Sequence, residues 1–279
     1  MQVFNGAASM RRASREHRSA GRTIAFVPTM GALHEGHVEL IRTARLAADV
    51  VVLSVFVNPL QFNVRSDFET YPRDSEKDAA CARDAGVDVL YLPSADTMYP
   101  AGFDTSISVV HTSAPLEGAG RPGHFDGVAT VVCKLLNAVE PDFAMFGRKD
   151  YQQLAVVTRM VHDLDMAVEI VGVDTVREND GLAMSSRNVR LSPEQRTHAP
   201  VIHHALSEAR DSILHGEQPD TVRTAFERRL SAVPGARLEY VSVADAVTLA
   251  ELDAVRGRAV VSCAVWFGDV RLIDNVLVP

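Results

Sequence analysis

The stretch FVPTMGALHEGHV, residues 26–38, determines the fold prediction because it reads as strand, turn and helix in immediate succession. The buried strand ends at Pro28, a glycine-containing turn follows, and the helix begins near Glu35. Such a turn directs the first backbone N–H groups of the helix, and the positive end of its dipole, to one place above the sheet edge. His34 and His37 are three residues apart and share one face of the first helical turn. We therefore predict a polyphosphate site at this turn.

The histidine spacing leaves two other interpretations open. A satisfied pair of surface histidines is the plainer one, and a metal pair is the other. In zinc peptidases the two histidines lie at i and i+4 with a glutamate beside the first, whereas this chain has i and i+3 and no obvious third ligand nearby. We therefore disfavour zinc and keep phosphate binding as the hypothesis.

Outward from this stretch, short apolar runs alternate with helical patterns through about residue 175. Strands are predicted at residues 23–27, 50–57, 87–93, 142–147 and 168–173. Helices are predicted at residues 38–48, 74–85, 128–139 and 151–164. This alternation, with strands apolar on both faces, predicts an α/β fold in which helices cover both faces of a parallel sheet.

The pattern changes after residue 175. A helix is predicted at residues 193–214, starting from Ser192 and Pro193, and another near 221–232. Strands are predicted at residues 238–244, 259–266 and 269–278, and they form a small antiparallel sheet. We therefore predict two domains, residues 1–175 with the parallel sheet and residues 176–279 with a smaller α+β fold.

Composition excludes several classes of protein. The 279 residues include 28 Lys plus Arg and 36 Asp plus Glu, which gives a net charge of −8. A protein of this charge has no net electrostatic attraction to nucleic acid or to an anionic membrane. No apolar stretch is long enough to span a bilayer, and the basic N-terminus lacks the apolar region of a secretory signal. Three cysteines are too few for a disulfide framework. We expect a soluble, cytoplasmic protein that binds no nucleic acid and no membrane.

A second motif, FGRKDYQQL at residues 146–154, lies at another strand-to-helix junction. Lys149 suits a phosphate, Asp150 suits a ribose hydroxyl, and Gln152 and Gln153 are neutral hydrogen-bonding amides. An ordinary helix-start charge pattern is the plainer interpretation of the Lys-Asp pair. The motif becomes informative because it lies at the same edge of the predicted sheet as the histidines.

Two further motifs have the same placement. NPLQF at residues 58–62 follows the second predicted strand and puts Gln61 at the carboxyl edge of the sheet. GLAMSSRN at residues 181–188 combines two hydroxyls and an arginine in a loop of small residues. That composition suits an anion clamp, and it also suits a plain turn. Each motif is weak alone, and their common placement favours one ligand-binding edge.

Together with RPGHFDGV at residues 121–128, these motifs occur in the order found in the pantoate–β-alanine ligase family, which the chain resembles from about residue 23 to 188. The resemblance implies membership of the nucleotidyltransferase superfamily that shares a HIGH-like motif with class I aminoacyl-tRNA synthetases. It implies a Rossmann-like N-terminal domain, a smaller C-terminal lid domain and a homodimer. The implied reaction condenses (R)-pantoate with β-alanine through a pantoyl-adenylate, with ATP as a substrate and Mg²⁺ as its companion ion.

The resemblance also implies roles for individual residues. His34, His37 and Lys149 are the expected catalytic residues, and His37 matches the family's catalytic acid. The residues expected to bind ATP are Met30, Gly31, Ala32, Leu33, His34, Glu35, Gly36, His37, Gly147, Arg148, Lys149, Asp150, Val176, Met184, Ser185, Ser186 and Arg187. Those expected to bind pantoate are Met30, Gln61, Val131, Val132 and Gln153, and Gln61 also adjoins β-alanine. The two valines are equally consistent with plain helix core, and the magnesium ligands stay unassigned.

The resemblance also extends to a loop that covers the family's active site, matched here by Glu117, Arg121 and His124. One residue departs from the family pattern: Arg148 stands where a glutamate is common, and we expect its side chain to face solvent. Two rival functions are a related nucleotidyltransferase and a non-catalytic nucleotide-binding regulator. The first lacks the NPLQF and DYQQL pair, and the second would have lost phosphate-contacting side chains that this chain retains, so the ligase is favoured.

Overall fold

The computed structural model describes residues 1–63 and 68–279, which form two compact units. The first unit comprises Met1–Arg148 and Val156–Asp174, and the second comprises Lys149–Ala155 and Thr175–Pro279. The predicted boundary was a single one after residue 175. In the structure the segment Lys149–Ala155, which precedes that boundary, groups with the C-terminal residues. The assignment of ATP binding to one domain and a lid role to the other stays a prediction.

The first unit is built on a six-stranded sheet in which every neighbouring pair is parallel. Its strands are β1 (Gln2–Phe4), β2 (Ile24–Thr29), β3 (Val50–Val55), β4 (Val89–Tyr91), β5 (Phe143–Gly147) and β6 (Glu169–Val173). The strand order is β1-β4-β3-β2-β5-β6, so β2 and β3 are central. Both faces of β2 and β3 are buried, as expected of a parallel sheet between two helical layers. The α/β prediction is confirmed, and the edge strand β1 is an addition to it.

The local sequence explains where two of the helices begin. Their bounds are α1 (Ala7–Ser19), α2 (Glu35–Ala47), α3 (Ser75–Asp84), α4 (Ala95–Met98), α5 (Glu117–Gly120), α6 (His124–Val139) and α7 (Tyr151–Asp163), the last crossing from the second unit into the first. Asp74 caps α3 by accepting a hydrogen bond from the Lys77 N–H (3.0 Å). Helix α6 begins four residues before the predicted start, directly after Gly123, whose φ of 78° only glycine adopts readily.

The second unit combines helices with an antiparallel sheet. Its elements are α8 (Pro193–His198), α9 (Val201–Leu214), α10 (Pro219–Ser231), β7 (Ala236–Asp245), β8 (Ala259–Phe267) and β9 (Val270–Val278), with β8 central. The predicted helix 193–214 is wrong as a single element, because Pro200 lacks an N–H group and separates α8 from α9. The predicted start is present: Ser192 Oγ accepts from the Gln195 N–H (3.2 Å), and Gln195 Oε1 accepts from the Ser192 N–H (2.9 Å).

Across residues 1–63 and 68–279, none of the helices combines the length and apolar character that crossing a membrane requires.

Candidate active site

The turn after β2 contains two successive residues with positive φ, Gly31 (84°) and Ala32 (51°). Thr29, the last residue of β2, accepts a hydrogen bond from the Gly31 N–H at its Oγ1 (3.2 Å). A Cβ atom at Gly31 would lie 2.6 Å from a carboxylate oxygen of Asp78. Glycine is therefore required at this position both for its backbone conformation and for space.

Asp78 holds the same turn from α3. Its carboxylate accepts hydrogen bonds from the N–H groups of Ala32 (3.1 Å) and Leu33 (2.9 Å), and the residue is 3% exposed. Successive N–H groups that converge on one anion in this way form a nest. The protein's own carboxylate thus occupies the nest and fixes the chain immediately before His34.

His34 and His37 form a reciprocal cap at the start of α2. His34 Nδ1 accepts from the Gly36 N–H (3.1 Å), and His37 Nδ1 accepts from the His34 N–H (3.2 Å). The two ring centroids are 4.2 Å apart. A Cβ at Gly36 would lie 2.9 Å from the His34 ring, so the glycine between the histidines lets the ring lie against the backbone.

This cap occupies two of the first N–H groups of the helix, so the predicted phosphate site stays a prediction with fewer backbone donors than the motif suggested. The Gly36 N–H is bonded to His34 Nδ1, and the His37 N–H is bonded to the His34 carbonyl (2.8 Å). Because both Nδ1 atoms accept from backbone N–H groups, Nε2 is the ring nitrogen that carries a hydrogen in each imidazole. At Gly36 and His37 the turn therefore presents imidazole rings, and not these two backbone N–H groups, as the groups suited to phosphate oxygens.

Two other residues of the turn have defined contacts. Met30 Sδ accepts from Gln61 Nε2 (2.9 Å). Glu35 is exposed, and its carboxylate lies 3.6 Å from the Arg42 guanidinium. The structure thus brings Met30 and Gln61, two residues predicted to bind pantoate, into direct contact.

Gln61 ends a 3-10 turn, Pro59–Gln61, which follows β3. Its backbone carbonyl accepts from His124 Nδ1 (2.7 Å) and from Arg121 Nη2 (3.2 Å). Arg121 Nη1 also lies 3.1 Å from His124 Nε2. Two residues of the predicted cover loop therefore hold the Gln61 backbone in place.

Helix α6 packs against this turn at Gly127. A Cβ there would lie 2.4 Å from the Leu60 carbonyl oxygen, so only glycine allows the close approach. One turn further along the helix, Val131 and Val132 are buried at 5% and 4% exposure. Their burial agrees with a core role and leaves the predicted contact with pantoate as a proposal.

At the end of β5, Arg148 directs its side chain to Asp174, with Nη1 2.5 Å from a carboxylate oxygen. The side chains are 37% and 86% exposed, so this is a surface ion pair of small energetic value. The pair supports the expectation that the Arg148 side chain is directed to solvent. Gly147, the residue before it, is the last of β5, and a Cβ there would meet nothing within 4 Å.

In the second unit, Lys149 lies at a cavity together with Ser185, Arg187 and Asn188, and with part of β9 that includes Arg271. The Lys149 side chain is 19% exposed, and its Nζ lies 3.5 Å from Asp150 Oδ1. The structure thus places two cationic side chains and a hydroxyl, all predicted to bind ATP, around one space. This set is suited to phosphate oxygens.

The backbone of Lys149 is tied to β9. Its carbonyl accepts from Asn275 Nδ2 (2.9 Å), and the neighbouring Asp274 is 4% exposed. Asp274 receives both terminal nitrogens of Arg177, at 2.7 and 3.1 Å, and Arg177 also donates to the Gly181 carbonyl (3.1 Å). One buried ion pair therefore links the Lys149 segment to the loop that carries the serines.

Residues 176–184 form a hairpin, in which the Met184 N–H donates to the Val176 carbonyl (2.9 Å). Gly181 at its tip has a φ of 91°, and a Cβ there would lie 2.7 Å from the His203 ring. Backbone conformation and space therefore both require glycine at this position. Ser185 lies just beyond the hairpin, and its Oγ accepts from the Arg187 N–H (3.2 Å), while Ser186 between them is half-buried.

The two glutamines of α7 differ in exposure. Gln152 is 6% exposed, whereas Gln153 is half-buried. Tyr151, at the start of the helix, donates its hydroxyl to the Ala246 carbonyl (2.8 Å) and anchors this first turn to the second unit. Of the two amides, Gln153 is the one that retains partial exposure.

Sequence reasoning missed the residues that support these groups. Each makes a contact with a distant segment, and only one of them lies within a quoted motif: Asp78, Asn58 (in NPLQF), Arg177 and Asp274. Nothing in the sequence around Asp78 distinguishes it from the other carboxylates of its helix. Within the described ranges 1–63 and 68–279, no group of three His, Cys, Asp or Glu residues could hold a metal ion.

The sequence is similar to proteins of a known enzyme family. The sequence model of the family described as pantoate-beta-alanine ligase matches residues 2–277. The chain is 49% identical to pantothenate synthetase of Moorella thermoacetica, covering 99% of this chain and 98% of that protein, and 50% identical to that of Heliobacterium modesticaldum, covering 100% and 99%.

Solved structures agree. Pantothenate synthetase from Thermus thermophilus is 47% identical with a TM-score of 0.92, covering 99% of both chains. Pantoate-beta-alanine ligase from Francisella tularensis, crystallised with beta-gamma ATP and beta-alanine, is 34% identical with a TM-score of 0.78, covering 99% of this chain and 97% of that one. This chain belongs to the pantoate–β-alanine ligase family.

Proposed function

We propose that this protein joins (R)-pantoate to β-alanine, converts ATP to AMP and pyrophosphate, and forms a pantoyl-adenylate on the way. The observation that carries the proposal is the His34–His37 cap in the turn after β2, because it fixes two imidazole rings side by side at the start of a helix that follows a central strand. It occurs in a chain that matches the ligase family over residues 2–277.

In the first step a carboxylate oxygen of pantoate attacks the α-phosphorus of ATP. An O–P bond forms, the bond to the pyrophosphate oxygen breaks, and pyrophosphate leaves with its negative charge. No protein nucleophile is needed, so positioning and charge neutralisation provide the catalysis. We assign this neutralisation to His34, His37, Lys149, Ser185 and Arg187, and Ser186 joins them through its place in the same loop.

Pantoate is held by neutral amides in this proposal. Gln61 and Gln153 contribute hydrogen bonds, while Met30, Val131 and Val132 contribute apolar contact with the methyl groups of pantoate. An arginine clamp would bind the carboxylate as a strong bidentate pair and weaken it as a nucleophile. Amides orient the acid and leave its negative charge available for attack.

In the second step the unprotonated amine of β-alanine attacks the carbonyl carbon of pantoyl-adenylate. A C–N bond forms, the C–O bond to AMP breaks, and the amine loses one proton to solvent. Water competes for the same carbonyl, so the reaction needs a site from which water is excluded. The remaining ATP contacts are proposed for Gly147, Asp150, Val176 and Met184.

Magnesium, homodimer formation and a cytoplasmic location complete the proposal. Mg²⁺ is usually bound through substrate phosphates and water with one or two carboxylates, so it would enter with ATP. Sedimentation of the purified protein tests the dimer.

The test of function is a stoichiometric assay with purified protein, pantoate, β-alanine and ATP. The proposal predicts equal amounts of pantothenate, AMP and pyrophosphate, and no pantothenate when any one substrate is omitted. Formation of ADP in place of AMP, or product formation from an unrelated acid only, contradicts it. Omission of each substrate in turn is the internal control.

A further inference from the structure

Asn58 and Tyr99 form a hydrogen-bonded relay that ends at the side chain of Gln61. Asn58 is 1% exposed and lies at the N-cap of the turn that carries Gln61. The Tyr99 hydroxyl donates to Asn58 Oδ1 (2.7 Å), and Asn58 Nδ2 donates to Gln61 Oε1 (3.0 Å). All three residues belong to the first unit.

Backbone groups determine which end of the Asn58 amide is oxygen. Its nitrogen lies 3.0 Å from the Gly127 carbonyl, which can only accept. Its oxygen lies 3.3 Å from the Leu60 N–H, which can only donate. A reversed amide would oppose like groups at both contacts, so the orientation is fixed.

The Asn58 orientation in turn determines that of Gln61. Because Asn58 presents an NH₂ group, Gln61 must turn its Oε1 toward it, which leaves Gln61 Nε2 at the other end. There Nε2 approaches Met30 Sδ at 2.9 Å, and Met30 is also a predicted pantoate residue. A thioether is a weak acceptor, so a substrate oxygen would be the better partner for this donor.

Tyr99 is held firmly enough to act on Asn58. Its ring packs against Phe56 and Phe103, with centroids 6.1 and 5.0 Å away. The Lys134 ammonium lies over the Phe103 ring at 4.7 Å and extends the cluster. Burial raises the pKa of Tyr99 above its usual value, so the hydroxyl keeps its proton and stays a donor.

We infer that Tyr99 is a positioning residue: its hydroxyl holds the Asn58 side chain, whose amide orientation the backbone sets, in the place from which Asn58 makes Gln61 present its NH₂ group to the acid substrate. A donor at this position recognises an oxygen acceptor, such as the carboxylate or hydroxyl of pantoate, and gives no favourable contact to an ammonium group. Gln61 therefore selects for the acid and not for the amine end of β-alanine. This inference rests on the proposed function, because it concerns how that reaction's acid is bound.

The test is a double-mutant cycle measured by pantoate-dependent exchange of pyrophosphate into ATP. Tyr99→Phe should raise the KM for pantoate about 3- to 10-fold, the range of one neutral hydrogen bond. The KM for ATP, and that for β-alanine in the full reaction, should change less than about 2-fold. In a Gln61→Ala background, the effect of Tyr99→Phe on pantoate should fall below about 2-fold, because its target is gone.

Tyr91→Phe is the control, since it removes the hydroxyl of another tyrosine of the first unit, one that is 1% exposed, and it should leave the pantoate dependence unchanged. An equal effect of Tyr99→Phe in both backgrounds, an equal rise in the KM for ATP, or no effect in the wild-type background would overturn the inference. If the wild-type protein itself shows no exchange with pantoate, the proposed function fails and takes the inference with it, so the two failures are distinguishable.

Discussion

Replacement of Asp78 by alanine tests the most specific feature of the turn, its carboxylate-filled nest. The Asp78 carboxylate accepts the N–H groups of Ala32 and Leu33, and its near-complete burial leaves little room for water to replace it. Each buried donor that loses its partner costs about 1–3 kcal/mol. For two donors, we expect Asp78→Ala to lower the free energy of unfolding by about 2–6 kcal/mol.

Asp84→Ala is the matched control, because Asp84 is an exposed residue of the same helix. Both changes replace an aspartate of α3 by alanine, and the helix dipole, which favours Asp78 in the first turn and disfavours Asp84 at the last residue, adds only about 0.3–1 kcal/mol for each, so a larger difference reports the loss of the nest. The control should change the unfolding free energy by no more than about 0.5 kcal/mol. Asp78→Asn keeps one acceptor oxygen, and we expect about half the loss.

Two measurements check this prediction. Urea denaturation gives the free energies, and hydrogen exchange reports the Ala32 and Leu33 amides directly. In Asp78→Ala these two amides should exchange faster by a larger factor than those of β3, and pantoate-dependent exchange activity should fall with them. Unchanged amide protection with wild-type activity would refute the account of the turn.

Three further predictions concern the second unit. Lys149→Ala should lower the rate of adenylate formation at least ~100-fold, the scale of lost transition-state charge stabilisation; a near-normal single-turnover rate would remove Lys149 from this role. Arg177→Met should lower the unfolding free energy by about 3–5 kcal/mol because it leaves Asp274 buried without its partner. The same change at the surface residue Arg210 should cost under about 1 kcal/mol. Equal losses of unfolding free energy in the two variants would contradict this prediction. Burial, aided by the charge of Arg177, lowers the pKa of His203 below 6.5. The unfolded chain therefore binds this proton more readily than the folded protein does. The contribution of neutral His203 to the unfolding free energy is fully present above pH 6.5 and is lost as the pH falls from 6.5 through the lowered pKa. His203→Gln should flatten this part of the stability–pH curve, and an unaltered slope would count against it.

Periodicity and turn chemistry were sufficient to predict most of the fold. The apolar runs of β2 and β3 are buried on both faces and therefore visible in sequence. The three-residue strand β1 is too short to show a period, and the arginine-rich helix α1 buries only Met10, Ala13 and Ser14. The apolar pattern alone predicted one helix over residues 193–214, whereas Pro200 divides it into α8 and α9.

The candidate site likewise contains residues that the sequence predicts and residues that it does not. His34, His37, Gln61 and Lys149 were predicted because they stand in local motifs at strand ends. The supports from Asp78 and Asp274 were not predictable, since they are contacts between separated segments: the Ala32 contact with Asp78 spans 46 positions. A single sequence carries local periods and motifs and contains no record of which distant residues meet.

In the proposed reaction, pantoate is activated as an adenylate before the amine takes part. The most direct measurement is exchange of labelled pyrophosphate into ATP with pantoate present and β-alanine absent, with other hydroxy acids as controls. The account predicts rapid exchange that depends on pantoate and is lost in Lys149→Ala. No exchange under these conditions, in protein that binds ATP and makes pantothenate once β-alanine is added, would contradict the stepwise mechanism.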